Sequence, residues 1–269
     1  MTAIVELSHV GKVYVSARDG ARVEALADID FAIRRGEFLT IVGPSGCGKS
    51  TLLSLVAGFN VPTSGEVLFQ GRPVTGPGPD RGVMFQDYAL FPWRTVAGNV
   101  EFGPVARGVD KEAARERVRT LIEMVGLRGF EQRYPHELSG GMRQRCALAR
   151  MLANDPTMWL MDEPLAAVDL QTRIILQEEL LRLWGDAGAS DAERPTVVFV
   201  THGIDEAVLL ADRVLVLGRR PGRIKQVVDV RLPRPRAALR NTPGVARLTA
   251  QVWDLIHDEA AQAITEESG

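Results

Sequence analysis

Eight consecutive residues, Gly43-Pro44-Ser45-Gly46-Cys47-Gly48-Lys49-Ser50, fit the pattern G-x-x-x-x-G-K-[ST]. These types at this spacing suit one chemistry, the seating of a nucleoside triphosphate. Glycines let backbone N–H groups curl around phosphate oxygens, and a helix starting at this point offers its positive end. Lys49 reaches the β- and γ-phosphates, the Ser50 hydroxyl ligates Mg2+, and Thr51 is grouped with the loop as a nucleotide contact. Cys47 is small enough for the loop and carries no redox role in this reading. A second constellation, Met158-Trp159-Leu160-Met161-Asp162-Glu163, is an apolar run ending in two carboxylates. Asp162 can hold Mg2+ through water, and Glu163 can take a proton from an attacking water. A strand ending in Asp-Glu is common by itself; downstream of a phosphate loop it gains meaning.

Such groups need elements to hold them. Phe38–Val42 reads as a short buried strand feeding the loop, and Thr51–Ala57 as a helix stopped near Gly58. Met158–Met161 and Val197–Val200 read as further buried strands, of the kind found in parallel sheets covered on both faces. Ligands of such sheets sit at the carboxyl ends of the strands. The first thirty-odd residues and Gly65–Pro73 alternate and turn more often, suggesting a small antiparallel sheet. From Asp110 to Val125, apolar Ala114, Val118, Leu121, Ile122 and Val125 follow helical spacing. Nine Lys or Arg against one acid, Asp229, fall between Arg213 and Arg240, and five acids without a Lys or Arg follow Arg247. A solvated surface with a helical tail is the plain expectation for that region.

Leu138-Ser139-Gly140-Gly141-Met142-Arg143-Gln144-Arg145 is a second Gly-rich helix start, with Ser139 and the glycine N–H groups able to meet phosphate. This segment resembles the signature of the ATP-binding-cassette (ABC) ATPases, in which the signature of one subunit closes over the ATP held by its partner. The resemblance extends over residues 5 to about 230 and assigns further roles. Gln86 in Val83-Met84-Phe85-Gln86 matches the glutamine that senses Mg2+ and the attacking water. Asp169, after Ala166-Ala167-Val168, matches an aspartate linking the two sites; Ala166 and Val168 depart mildly from the family pattern. His202 matches the switch histidine at the γ-phosphate, with Gly203 in place of the commoner Asp. Tyr14 matches an aromatic that stacks on adenine. Four segments further resemble the nitrate/sulfonate/taurine importer group: Gly76–Gly82, Leu90-Phe91-Pro92-Trp93, Glu179–Trp184 and Arg219-Arg220-Pro221-Gly222-Arg223-Ile224.

The fold so implied is α/β, a P-loop NTPase core with a mainly parallel sheet, a small antiparallel β subdomain and an inserted α-helical subdomain. Residues 1–230 form the ATPase domain, with the insertion at about 88–152, and 231–269 a C-terminal helical extension. The implied cofactors are ATP and Mg2+. The implied partners are a second copy in a head-to-tail dimer, transmembrane permease chains and, indirectly, a substrate-binding protein, at the cytoplasmic face of the membrane. The apolar, aromatic Tyr88, Leu90, Phe91, Pro92 and Trp93 after Gln86 are the candidate groove for a permease helix, against ordinary core packing.

Composition agrees. The chain has 269 residues, 45% hydrophobic and 25% charged, with 32 basic and 34 acidic side chains for a net charge of −2. No global positive field draws it to nucleic acid. Two cysteines cannot build a disulfide framework, and a reducing compartment suits them. The segment Met1–Val10 has neither the basic leader nor the apolar stretch of a signal peptide, and no run approaches the roughly 18 apolar residues of a membrane span. The alternative is a soluble ABC ATPase of chromosomes or DNA repair. It would carry a long coiled-coil or zinc-binding insertion, yet only 90 positions separate Lys49 from Ser139. A binding-only regulator is disfavoured by the presence of Glu163 and His202.

Overall fold

Apolar runs fix the strands of this chain, and the short polar side chains of Thr95, Asp110 and Ser139 cap three of its helix starts. The computed structural model describes residues 2–185 and 193–267. In chain order come β1 (Ala3–Val15), β2 (Arg22–Arg34), β3 (Phe38–Val42), α1 (Lys49–Ala57), β4 (Ser64–Phe69) and β5 (Arg72–Pro73). Next are β6 (Arg81–Met84), α2 (Val96–Ala106), α3 (Lys111–Met124), α4 (Gly140–Ala153), β7 (Met158–Asp162) and α5 (Leu170–Trp184). The chain ends with β8 (Thr196–Val200), α6 (Ile204–Leu210), β9 (Arg213–Leu217), β10 (Ile224–Asp229) and α7 (Pro243–Glu267). Two compact units divide it, residues 1–78 with 185–269, and residues 79–184.

In the first unit β3 lies between β8 and β9, parallel to both, and β10 closes antiparallel on β9. All five positions of β3, β8 and β9 are buried, as covered parallel strands demand. Burying each Phe, Leu, Ile or Val of these strands is worth about 1.5–3 kcal/mol, and Phe38 meets Phe199 with ring centroids 5.9 Å apart. The expected antiparallel sheet is present with strand order β2-β1-β4-β5. Its long β1–β2 pair is interrupted by register shifts, with His9 and Asp28 both at positive φ.

Arg220, Arg223, Lys225 and Arg231 lie exposed, as expected for the basic run that starts at Arg213, but three of its arginines depart from that expectation. Arg213 is buried and forms a two-pronged pair with Glu37, 2.7 and 2.8 Å. Arg234 donates to Asp212 at 2.7 Å, and buried Arg236 donates to the carbonyls of Ala211 and Val230. Guanidiniums with fixed planar donors serve such buried geometry well. The helical tail is there as α7, where Val245 and Val252, with Leu248 and Leu255, pack on a core shared by α6, β9 and β10.

In the second unit β6 and β7 run parallel, Val83 opposite Leu160 and Met84 opposite Met161. α3 covers the helix expected from Asp110 to Val125. The Asp110 carboxylate caps it by accepting from the N–H groups of Glu112 and Ala113, and Ala114, Val118, Leu121 and Ile122 are its buried face. Thr95 caps α2 in the same way. Buried Asn99 ties down the turn before it, accepting from Phe91 N–H at 2.8 Å and donating to the carbonyls of Phe91, Arg94 and Thr95. Among the described residues no helix is long and apolar enough to cross a membrane.

Candidate nucleotide site

The phosphate loop leaves the carboxyl end of β3 and enters α1 at Gly48, whose φ of 98° lies in the left-handed region that favours glycine. A Cβ there would come within 2.8 Å of the Ala25 carbonyl oxygen, so both conformation and space demand glycine. No side chain caps the helix start, and its first turn carries no acid. Three or four N–H groups therefore point outward without competition from a carboxylate. The Lys49 ammonium is buried and folds back on the loop, donating to the carbonyls of Gly43 and Pro44, each at 2.9 Å. Ser50 is exposed at the same helix start. Burial pushes the Cys47 thiol above its ordinary range, an effect that nearby Lys49 partly offsets.

The loop has a support that sequence reasoning left without a role. Gly222, in the Arg-Pro-Gly-Arg segment, exchanges hydrogen bonds with β2, donating to Ala25 O at 2.9 Å and accepting from Ala27 N at 3.0 Å. A Cβ on Gly222 would lie 2.0 Å from the Cys47 carbonyl oxygen. The turn thus packs directly under the phosphate loop, and only a residue without a side chain fits. The signal available was a Pro-Gly turn between two strands, which says nothing of what it packs against.

His202 follows β8 and is exposed. The preceding Thr201 donates its hydroxyl to Glu206 and accepts from Gly203 N–H at 3.0 Å, fixing the turn that presents the imidazole. Tyr14 stands near the end of β1 opposite Val23, 38% exposed, with the Lys12 ammonium 5.1 Å from its ring centroid.

In the second unit Asp162 ends β7 with its side chain buried, and Glu163 turns sharply at φ 50°. Gln86, Asp87, Tyr88, Arg143, Gln144, Glu163, Ala166 and Ala167 line an open cavity of about 530 Å³, so Gln86 and Glu163 do come together. Ser139 caps α4 by accepting from Met142 N–H at 3.3 Å, with Gly140 and Gly141 as the first helical residues. A Cβ on Gly141 would press on the Ala167 carbonyl at 3.0 Å. The Asp169 carboxylate accepts from Thr172 N–H at 3.0 Å, which holds it below the usual carboxylate range.

The aromatic segment after Gln86 divides. Phe91 is half-buried, its ring centroid 4.6 Å from Phe102 and 5.7 Å from Trp93, whereas Trp93 is 71% exposed. Phe91 follows the plain packing expectation, and Trp93 does not.

A strand, a glycine loop and a helix carrying a buried lysine define a P-loop nucleoside-triphosphatase. The family model described as ABC transporter matches residues 26–166. An uncharacterised ABC transporter ATP-binding protein of Methanocaldococcus jannaschii is 51% identical over 246 residues, covering 91% of this chain and 89% of that protein. The taurine import ATP-binding protein TauB of Burkholderia thailandensis is 50% identical, covering 81% of each chain. The nitrate import ATP-binding protein NrtC of Synechococcus elongatus is 46% identical over 89% of this chain and 36% of its own length. A solved dimeric ATP-binding cassette in a post-hydrolysis state, bound to ADP and Pi, superposes with a TM-score of 0.74 at 31% identity, covering 85% of this chain and 99% of that one. The chain belongs to the ABC transporter ATP-binding family, and its activity is that of an ATPase coupled to transport. The chromosome and DNA-repair alternative is set aside.

Proposed function

We propose that this chain is the ATP-hydrolysing subunit of an importer for a small solute of the nitrate, sulfonate or taurine class, coupled to separate permease chains. The observation that carries the reading is the start of α1. An uncapped helix end, a buried lysine ammonium held at the loop carbonyls and the exposed Ser50 together suit a triphosphate and Mg2+. Bound Mg2+ would neutralise phosphate charge as the γ-phosphoryl group leaves.

On this reading the backbone N–H groups of Gly43, Ser45, Gly46, Cys47, Gly48 and Thr51 surround the phosphates, Pro44 shapes the loop between them without a donor of its own, and Lys49 trades its loop carbonyls for phosphate oxygens. Ser50, Gln86 and Asp162 hold Mg2+, the last through water. Glu163 takes the proton of the attacking water, His202 meets the γ-phosphate, and Tyr14 stacks on adenine. Ser139, Gly140 and Gly141 of a second copy cap the γ-phosphate in a head-to-tail dimer, and Asp169 connects its two sites. Such sites work by positioned charge. ATP favours the closed pair because it binds that state better, and hydrolysis removes the preference. Exposed Trp93 is the candidate contact for a permease helix at the cytoplasmic face of the membrane, with a substrate-binding protein acting indirectly. The importer class and solute rest on the names of the taurine and nitrate relatives.

Glu163→Gln tests the core of this. The amide keeps the size of the carboxylate but cannot accept a proton, so turnover should fall by about 10²–10⁴-fold. ATP should still bind, and size-exclusion chromatography in Mg-ATP should show a dimer absent with ADP. Hydrolysis at the wild-type rate would place the base elsewhere.

A further inference from the structure

Glu163 is held in a conformation that a side-chain-bearing residue rarely adopts, with φ at 50°. Something must over-determine that turn. Beside the backbone bond from Ala166 N–H to the Glu163 carbonyl at 3.2 Å, Gln144 of α4 braces it, buried and with both ends of its amide engaged across the turn. Its Nε2 donates to the Glu163 carbonyl at 2.9 Å, and its Oε1 accepts from Ala167 N–H at 2.9 Å. The two contacts bracket the 163–167 turn like the jaws of a clamp. From the next turn side, Arg173 donates to the Val168 carbonyl at 3.0 Å, so the segment is gripped at both ends. Gln144 and Glu163 line the same cavity as Gln86.

We propose that Gln144 is the positioning residue for the catalytic carboxylate, fixing the Glu163 turn so that its side chain faces the cavity shared with Gln86. The inference rests on the reading of Glu163 as general base. Gln144 acts through the backbone of the turn that carries Glu163. The requirement for an amide follows from the pair of contacts. A carboxylate at 144 keeps the acceptor for Ala167 and loses the donor to the Glu163 carbonyl. A methionine of similar length loses both. Because Gln144 belongs to the helix that Ser139 begins, the same rigid element carries the phosphate cap of one site and the clamp on the base of the other.

Single-turnover ATP hydrolysis by the full chain in Mg2+ tests this in a double-mutant cycle of Gln144→Met with Glu163→Gln. Misplacing a reacting group by about 1 Å costs on the order of 10²-fold, so Gln144→Met should lower kcat by about that factor while leaving KM for ATP unchanged. In the Glu163→Gln background the same change should cost nothing further, since there is no base left to position. Gln144→Glu should fall between wild type and Gln144→Met, and stands in for it should that variant fail to fold. A wild-type kcat in Gln144→Met, alongside an inactive Glu163→Gln, would overturn the positioning role alone. An equal loss in both backgrounds, or a raised KM, would also overturn it, marking Gln144 as general scaffolding. Wild-type turnover in Glu163→Gln would instead remove the base assignment on which the inference rests.

Discussion

Two helices of this chain begin in glycine-rich segments suited to phosphate, and they are built in opposite ways. α1 starts at a glycine in the left-handed region, has no side-chain cap and holds its lysine buried against loop carbonyls. α4 starts at exposed Ser139, whose own hydroxyl caps the helix, and no lysine follows. The first is a cradle with its own cation. The second offers one hydroxyl, already engaged as the cap, and the N–H groups of a helix start with no lysine beside them. The difference teaches that glycine content alone does not define a nucleotide site; the cation and the walls behind the loop do.

Lys49→Ala should break the comparison most severely. Removing a preorganised charge from a transferring phosphoryl group costs on the order of 10²–10³-fold, and here ATP affinity should fall with turnover. Equilibrium binding of a fluorescent ATP analogue, read with steady-state hydrolysis, checks both. Ser139→Ala should instead leave nucleotide binding by the single chain intact, lower turnover by about 10-fold, and cost about 1 kcal/mol of stability through the lost cap. Thermal unfolding and the same binding assay separate these effects. Loss of ATP binding in Ser139→Ala would make the two helix starts equivalent after all.

Tyr14→Ala sharpens the contrast on the base side of the cradle. Stacking on an aromatic ring is worth roughly 1–3 kcal/mol per base, and a partly exposed tyrosine already facing Lys12 should sit at the low end, about 1 kcal/mol. Titration with ATP should show a several-fold weaker affinity, restored by Tyr14→Phe.

Each region also carries one buried cysteine, which gives the mildest test. Burial pushes the Cys146 thiol in α4 up to about 12, and raises Cys47 less cleanly because Lys49 stands beside it. Alkylation of the folded protein at pH 8 should therefore be slow at both, with Cys47 ahead of Cys146, and mass spectrometry of timed samples reads the order. The same shift sets a sign for stability. A thiol whose folded value is raised favours folding below its ordinary value of 9.0, and that advantage is lost as pH climbs toward about 12, where the folded group ionises too. Unfolding midpoints measured from pH 8 to 11 should fall accordingly.

Much of this was legible in order along the chain. β3, β7 and β8 are apolar runs because both of their faces are covered, and α3 announces itself through Asp110 and a four-residue apolar face. The phosphate loop and the Ser139 segment are legible because local geometry dictates their residue types. What escaped the sequence joins distant positions. The Glu37–Arg213 pair sits within a run of basic residues that looks like surface, and nothing nearby in sequence announces its burial. Gln144 stands in a stretch of polar residues, and its value lies in two backbone groups nineteen and twenty-three positions away. The positive φ of Glu163 has no residue-type signature, since glycine would have been the natural choice there and the chain places a glutamate.

Gly222 carries a consequence for how the chain can be cut. The family match ends at residue 166, yet the floor beneath Cys47 is laid by a residue far downstream of that limit. A fragment ending at residue 184 would contain every residue of the phosphate loop. It would lack β8 and β9, the strands flanking β3, and the turn on which the loop rests. The motif is contiguous in sequence, but its shape is moulded by the last third of the chain, so the smallest piece able to grip a phosphate extends past residue 222.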